Sequence, residues 1–219
     1  TFKEFGDKVE AGGKKRPTKG EICVLKDYKV LRTGLEGVCK VATFDEVLYF
    51  ARSQIPQDDY DIGKEQVGFP IASWGVLRST DDRLLFLRKK GAERAYEGSP
   101  YSAFGSLVSV DKDVQDGRIH PARLLERSVG GEVGKTIWGK VEEIRHLGLN
   151  VYDENSSLVN NGYDTVWEVR IGDEMGRVIE SLEENPQFES GSHIEVLATP
   201  DRLGEFVLTN RTTASGLAG

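Results

Sequence analysis

Three aspartates lie close together in one short segment, and their carboxylates could bind a metal ion. Asp111, Asp113 and Asp116 follow an apolar run at residues 103–110, and Gly117 comes directly after them. Carboxylate oxygens suit Mg²⁺, which takes one or two of them together with the phosphates of a substrate. Ordinary solvated turns have a similar composition. The segment therefore predicts either a cation site or a polar connection.

A helix is predicted directly after the aspartates. His120-Pro121 opens it, because proline at the first helical position loses no hydrogen bond. At about 100° per residue, the side expected to face the core comprises Ala122, Leu125, Val129 and Val133. A second face groups Leu124, Ser128, Gly131, Glu132 and Lys135. The adjacent Gly130 and Gly131 indicate that the helix ends or loosens there, since each costs roughly 1 kcal/mol relative to alanine.

The apolar strand, the polar loop and this helix together resemble the Nudix family, whose box reads G-x5-E-x7-R-E-U-x-E-E-x-G-U with U apolar. The helix supplies four positions of that pattern, namely Arg127, Val129, Glu132 and Gly134. Ser128 and Gly131 stand where the family has glutamates, and Lys135 stands where it has an apolar residue. A contiguous box would begin at Asp113, so Gly105 serves as the first glycine only with an insertion of eight residues.

The flanking segments have the order found in that family. Residues 69–88 are similar to its opening strand, turn and second strand, and residues 103–110 to the strand that leads into the box. A subgroup described as predicted phosphoesterases has a similarly lengthened loop before the box. The resemblance covers residues 66–210 and implies an α/β/α sandwich with a mixed sheet.

The resemblance also implies a set of site residues. Glu132 is the expected catalytic and metal-binding carboxylate, and Arg127 is expected to support the box. Asp111 and Asp113 are expected to join Glu132 as metal ligands, because their loop is best placed to replace the missing glutamates. Other carboxylates that could do so are Glu142, Glu143, Glu180, Glu183 and Glu184. Mg²⁺ or Mn²⁺ is the implied cofactor if the protein is active, and otherwise none is needed.

Ligand contacts are expected from two further segments. Arg94 and Tyr96 lie in a loop that a Nudix-like arrangement places near the ligand, where they could hold a phosphate and stack on a base. Gly105, as the first box glycine, is the third expected contact. Trp74, Trp138 and Trp167 fall in predicted strands, where core packing is favoured over base stacking. His146 is interpreted as a strand-end residue.

Two classes of function follow from these residues. The favoured one is a Nudix-fold protein that binds a nucleotide-like or diphosphate-containing ligand, or a partner, with lost or weak pyrophosphohydrolase activity. It is favoured because Ser128 and Gly131 replace two glutamates of the family pattern. Lys135 is also expected to compete with any cation beside Glu132. The alternative is an active metal-dependent Nudix hydrolase of a nucleoside diphosphate derivative that uses relocated carboxylates. An unrelated fold with an accidental local match is the third hypothesis.

Composition limits the kinds of protein and of binding partner that fit this sequence. Hydrophobic residues make up 38% and charged residues 30% of the chain, which is typical of a globular protein. The net charge of -7 argues against a general nucleic-acid binder, since phosphate neutralisation by Lys and Arg dominates such binding. No apolar run of about 18 residues and no signal-peptide pattern occur, so no membrane and a cytoplasmic location are expected. A small phosphorylated ligand, a protein partner and a homodimer stay open. Cys23 and Cys39 are expected to be reduced core residues to which no chemistry is assigned.

The elements around the helix divide into an N-terminal extension at residues 1–42 and a Nudix-like domain at 43–219. The extension is predicted to hold a basic loop at 1–20 and one or two strands at 21–33. A capping box at Thr43 and Glu46 predicts a helix to about Gln54. Further strands are predicted at 67–77, 83–89, 136–147, 163–171, 192–198 and 205–209, with a helix at 175–184. The predicted core includes Leu85, Leu125, Val129, Val133, Val169 and Leu182.

Overall fold

The computed structural model describes residues 20–31, 34–43, 46, 69–87, 103–151, 163–183 and 193–209. The chain divides into two compact units. The first unit comprises residues 1–72, 107–120 and 151–163, and the second comprises residues 73–106, 121–150 and 164–219. None of the described helices is long and apolar enough to cross a membrane.

The first unit contains an antiparallel hairpin of β1 (Glu21–Leu31) and β2 (Gly34–Thr43). Alternating apolar residues in β1 form its core, in which Ile22, Val24 and Ala42 are buried together. The strand predicted at 21–33 is confirmed, whereas β2 was not predicted, because its glycines and lysine hide the alternation. β1 also pairs with the start of β3 (Phe69–Arg78), at Val24 and Pro70.

The predicted capping box is present at the end of β2. The Glu46 carboxylate accepts hydrogen bonds from Thr43 N at 2.6 Å and from Thr43 Oγ1 at 2.9 Å. In return, Glu46 N donates to Thr43 Oγ1 at 3.3 Å. Glu46 is helical, and the rest of the helix predicted to Gln54 lies outside the described residues. The predicted helix start is therefore confirmed.

The aspartate segment is more ordered than the predicted polar loop. It forms a short helix, α1 (Val110–Asp113), and then a tight hairpin of β6 (Val114–Gln115) and β7 (Arg118–Ile119). Asp116 and Gly117 make the turn with φ of 51° and 70°, a pair of left-handed residues that fits a two-residue hairpin. The Asp-Gly dipeptide was the available sequence signal for this turn.

The second unit is built on a largely antiparallel sheet. β3 continues into it and forms the predicted hairpin with β4 (Arg83–Leu87), in which Leu77 faces Leu85 across the ladder. β10 (His193–Leu197) pairs antiparallel with β4. β9 (Tyr163–Ile171) pairs with β3 and with β8 (Val141–Val151), and β5 (Phe104–Leu107) also pairs with β3.

Helices cover both faces of this sheet. On one face, α2 (Pro121–Glu132), α3 (Lys135–Trp138) and α4 (Met175–Glu183) pack over the main core; on the other, α5 (Pro200–Thr209) packs on a smaller one through Phe206. The six residues of the predicted core are at most 2% exposed. The predicted α/β sandwich is therefore confirmed. Ala122 is exposed, so its place in the predicted core was wrong: it lies in the first turn, before α2 reaches the main core.

Two predicted strands are helices in part or in full. Residues 136–138 belong to α3 instead of a strand: Gly134, with a φ of 153°, leaves the helical region, and α3 starts directly after it. Residues 205–209 belong to α5, which starts at Pro200 and sends Leu203 and Phe206 toward the sheet at helical spacing. The five-residue apolar pattern at 205–209 was too short to separate a strand from a helix.

The helix α2 continues through its two glycines, which corrects the prediction that it ends there. Val129 and Val133 on either side are fully buried in the main core, and this packing outweighs the cost of the glycines. Gly134 ends α2: its φ of 153° lies outside the helical region, and its N–H donates to Val129 O at 3.0 Å. A Cβ at Gly134 would collide with the Ser181 hydroxyl, while one at Gly131 would meet nothing within 4 Å.

Alanine substitutions at these two glycines should have opposite effects. Gly134→Ala should lower the free energy of unfolding by several kcal/mol, because it adds both backbone strain and a collision. Gly131→Ala, the matched control, should raise it by up to about 1 kcal/mol through helix propensity. Urea unfolding followed by circular dichroism measures both. A loss of stability in Gly131→Ala would contradict a continuous α2.

Candidate functional site

The inward surface of α2 holds the box residues that the sequence singled out. Leu124, Ser128 and Glu132 follow one another at helical spacing and are all buried. Ser128 is 3% exposed and Glu132 is 9% exposed. Within the described part of the chain, the Ser128 Oγ has no hydrogen-bond partner. The predicted metal face of α2 therefore carries one hydroxyl and one carboxylate, while Gly131 adds no side chain.

Arg127 and Gly105 link α2 and β3 to strand β5. Arg127 donates from its NH1 to the Ser106 hydroxyl at 2.8 Å, which joins α2 to β5. Gly105 lies against β3, where a Cβ would come within 2.5 Å of Ser73 O and of the Trp74 ring. A close approach between two strands is thus a sufficient physical reason for glycine at 105. Arg94 and Tyr96 lie outside the described residues.

The two aspartates expected as metal ligands hold their own segment together. The Asp113 carboxylate accepts a hydrogen bond from Ser109 N at 2.7 Å, and its backbone carbonyl accepts one from His120 N at 2.8 Å. Asp113 is fully buried, and Asp111 accepts a hydrogen bond from the Ser109 hydroxyl. Both aspartates belong to the first unit, whereas Glu132 belongs to the second.

Lys135 does not continue the α2 face on which the sequence placed it. The helix ends at Glu132, Gly134 redirects the backbone, and Lys135 is an exposed residue at the start of α3. Competition between its ammonium and a cation at Glu132 was inferred from helical spacing that does not extend to residue 135. That positions 128 and 131 carry no carboxylate does not depend on Lys135.

A row of polar and aromatic side chains crosses the sheet on the same face as α2. We call it the polar row, and its members are Arg127, Ser106, Ser73, Thr165, Trp167 and His146. The Ser73 and Thr165 hydroxyl oxygens lie 2.5 Å apart, and Trp167 Nε1 donates to Thr165 Oγ1 at 3.0 Å. The His146 and Trp167 rings lie 4.6 Å apart at 50°. Thr165 and Trp167 lie on the same face of β9 as the core residues Val169 and Ile171, because every second residue of a strand points to the same face. This places the row beside α2.

Sequence reasoning missed the aromatic end of this row. Trp167 is half-buried and packs on the main core, as predicted for the tryptophans, but Trp138 lies in α3 instead of a strand. His146 is exposed on β8 and meets Trp167 across the strand pair. The sequence feature that could have predicted this contact is the presence of polar and aromatic residues at alternate positions of two strands, 141–151 and 163–171. Their register could not be read, because the connection between them is long.

The two cysteines differ in burial, so the prediction that both lie in the core was wrong for Cys39. Both thiols are free, with Cys23 buried and Cys39 exposed. Desolvation, with smaller contributions from Cys39 and Asp113, raises the pKa of the Cys23 thiol to about 11. Cys23 therefore stays protonated at neutral pH, and the protonated form is not a nucleophile or a metal ligand.

Comparison with known proteins identifies the fold. No family model matches the sequence, and a search of curated proteins finds no match. Among solved structures, the candidate Nudix hydrolase Tm1382 aligns with a TM-score of 0.56 at 15% identity, over 90% of this chain and 94% of that one. The chain has a Nudix-like fold.

Two further structures align more weakly. DR0079 from Deinococcus radiodurans has a TM-score of 0.43 at 13% identity, over 90% of this chain and 96% of that one. A MutT structure, from Aliivibrio salmonicida or Vibrio cholerae, has a TM-score of 0.36 at 11% identity, over 67% and 87%. The Nudix-like fold rests on the first of these three structures, and at such identities the likeness concerns the fold alone.

Nudix hydrolases use divalent metal ions, and the donors on α2 do not fit such an ion. A magnesium ion held on a diphosphate needs carboxylate oxygens, and α2 offers Glu132 alone on its inward surface. Across the residues that the structure describes, no three His, Cys, Asp or Glu side chains are grouped so that they could hold a metal ion. The second carboxylate source that the sequence suggested was Glu142 or Glu143, and of these Glu143 lies 3.7 Å from Arg170 NH1.

Two buried serines of the second unit provide a matched test of the Ser128 environment. The Ser79 hydroxyl donates to Asp81 at 2.5 Å, which holds the pKa of that carboxyl below its usual value, and it accepts from Arg83 N at 3.2 Å. Ser79→Ala should lower the free energy of unfolding by about 1–3 kcal/mol, whereas Ser128→Ala should leave it unchanged or raise it. Urea titrations compare the two. An equal loss in Ser128→Ala would show that the hydroxyl at 128 is hydrogen-bonded.

Proposed function

We propose that this protein binds a nucleotide-like or diphosphate-containing ligand beside α2, and that it hydrolyses the ligand slowly or not at all. The observation that carries the proposal is a Nudix-like fold whose α2 presents a single carboxylate, Glu132, on its inward surface. In metal-assisted phosphoryl chemistry, cations neutralise the diphosphate and activate the attacking water. One carboxylate leaves the charge of such cations largely uncompensated. The fold is therefore unchanged, but the metal ions that would accelerate hydrolysis are poorly held.

The polar row supplies groups that suit this class of ligand. The Arg127 guanidinium can hold a phosphate oxygen, because charge-assisted hydrogen bonds are the stronger ones. Hydroxyls of Ser106 and Thr165 match the donors and acceptors of a ribose. His146 and Trp167 offer aromatic surface at the far end of the row, and stacking on an aromatic ring accepts any base. These groups bind and orient, and none of them replaces a metal.

An active hydrolase with relocated carboxylates is the competing function. It requires at least two further carboxylates to meet Glu132 at one point. The residues proposed for this role at positions 111 and 113 are hydrogen-bonded to Ser109 within their own segment. The first function is therefore favoured, and catalytic turnover distinguishes the two.

Binding and turnover should separate in one set of measurements. We expect a nucleoside diphosphate sugar to bind saturably by calorimetry in the presence of a chelator. With Mg²⁺ or Mn²⁺, its turnover number should fall below the ordinary enzyme range of about 1 to 1,000 per second. His146→Ala should weaken binding about tenfold, as expected for a lost stacking surface. His193→Ala on β10 is the matched control and should bind like the wild type.

Two results would overturn this proposal in different ways. Turnover within the ordinary range that is abolished by Glu132→Gln would establish the competing hydrolase. Absence of saturable binding to nucleoside diphosphates, dinucleoside polyphosphates and nucleoside triphosphates would remove the ligand-binding function itself.

A further inference from the structure

Three arginines converge on one buried carboxylate in the second unit. Glu168 on β9 is 5% exposed. Its Oε1 lies 3.1 Å from Arg145 NH2 and 3.1 Å from Arg170 Nε, and its Oε2 lies 3.2 Å from Arg78 NH1. These arginines come from three adjacent strands, β8, β9 and β3. We call this group the arginine cluster.

The arginine cluster lies on the sheet face opposite α2. Successive side chains of a strand point to opposite faces. Leu77, Ile144 and Val169 pack in or against the main core beneath α2, and each of them directly precedes or follows a member of the cluster. Glu168 and Arg170 are two residues apart and share one face of β9. The cluster is therefore separate from Glu132 and from the polar row.

The three arginines are not equally engaged. Arg78 also donates twice to Asp82, at 2.8 Å and 3.0 Å, which uses most of its guanidinium. Arg145 and Arg170 are 53% and 43% exposed, and they share the single oxygen Oε1 of Glu168. Each guanidinium carries five N–H donors. Several donors of Arg145 and Arg170 therefore face solvent next to one another.

Arg145 and Arg170 are brought together at that position because both contact Glu168 Oε1. Arg78 alone would give the buried Glu168 a cationic partner, yet two more guanidiniums are held against it. Glu143 is 54% exposed and lies 3.7 Å from Arg170 NH1, beyond the distance of a hydrogen bond. Two positive groups on one shared oxygen repel each other, and an anion that bridges them relieves this repulsion.

We propose that Arg145 and Arg170 form an anion site for a phosphoryl group, with Glu168 as the residue that positions the two guanidiniums. A phosphoryl group offers several oxygens, and guanidinium forks match such oxygens in pairs. The site takes a small phosphorylated compound or inorganic diphosphate from the solvent side of β8 and β9. It does not depend on the ligand proposed beside α2, since it lies on the other face of the sheet.

Inorganic diphosphate is the probe for this site. Calorimetric titration at a fixed ionic strength, set with sodium chloride, should give saturable binding to the wild-type protein. The double variant Arg145→Gln/Arg170→Gln should weaken it at least about tenfold, because two charge-assisted contacts are lost. Arg202→Gln is the matched control: Arg202 is an exposed arginine of α5 in the same unit, paired with Glu205 at 2.8 Å, and its loss should leave binding unchanged.

A gain-of-affinity variant tests the same site without removing an arginine. Glu143→Gln removes the exposed carboxylate beside Arg170 and should strengthen diphosphate binding by up to about fivefold. A purely structural network would show no such gain. The proposal is overturned if the wild type binds no diphosphate saturably, or if the double variant, shown to be folded by circular dichroism, binds as well as the wild type.

Discussion

The packing of α2 on the sheet of the second unit is the interaction on which the other features depend. Leu125, Val129 and Val133 are fully buried against β3, β4, β5 and β9, and they fix the rotation of the helix about its axis. Burial of one such side chain contributes about 1.5–3 kcal/mol, enough to offset the poor helix propensity of Gly130 and Gly131. The same rotation brings Ser128 and Glu132 inward. The apolar face of α2 therefore determines which of its polar side chains point inward.

The Nudix-like fold and the weak or absent hydrolysis that we propose depend on different residues of α2. The fold needs the apolar face, the Gly134 turn and the contact between Arg127 and Ser106. Metal-assisted hydrolysis needs several carboxylates on the adjacent face, and Ser128 and Gly131 occupy two of those positions. The fold does not require a carboxylate at either of those two positions. The slow or absent hydrolysis that we propose is therefore compatible with the Nudix-like fold.

Local patterns in the sequence predicted much of the fold. Helix α2, the hairpin of β3 and β4, strand β9, helix α4 and the Thr43 capping box all follow from spacing over a few residues, and each is confirmed. Helices α3 and α5 were missed because tertiary packing and one glycine turn decided between helix and strand. The meeting of His146 with Trp167, and of three arginines at Glu168, depends on strand register across long connections. Such non-local contacts cannot be predicted from the spacing of residues along the sequence.

Titration of the wild-type protein with Mn²⁺, followed by water-proton relaxation and repeated on Glu132→Gln, tests the central claim most directly. With a single inward carboxylate on α2, the account predicts no saturable site at Glu132, so that both proteins give the same weak, nonspecific response up to about millimolar ion. A saturable site in the wild type that is lost in Glu132→Gln would contradict it. That result would mean that further carboxylates meet Glu132 and that the metal chemistry of the fold is intact.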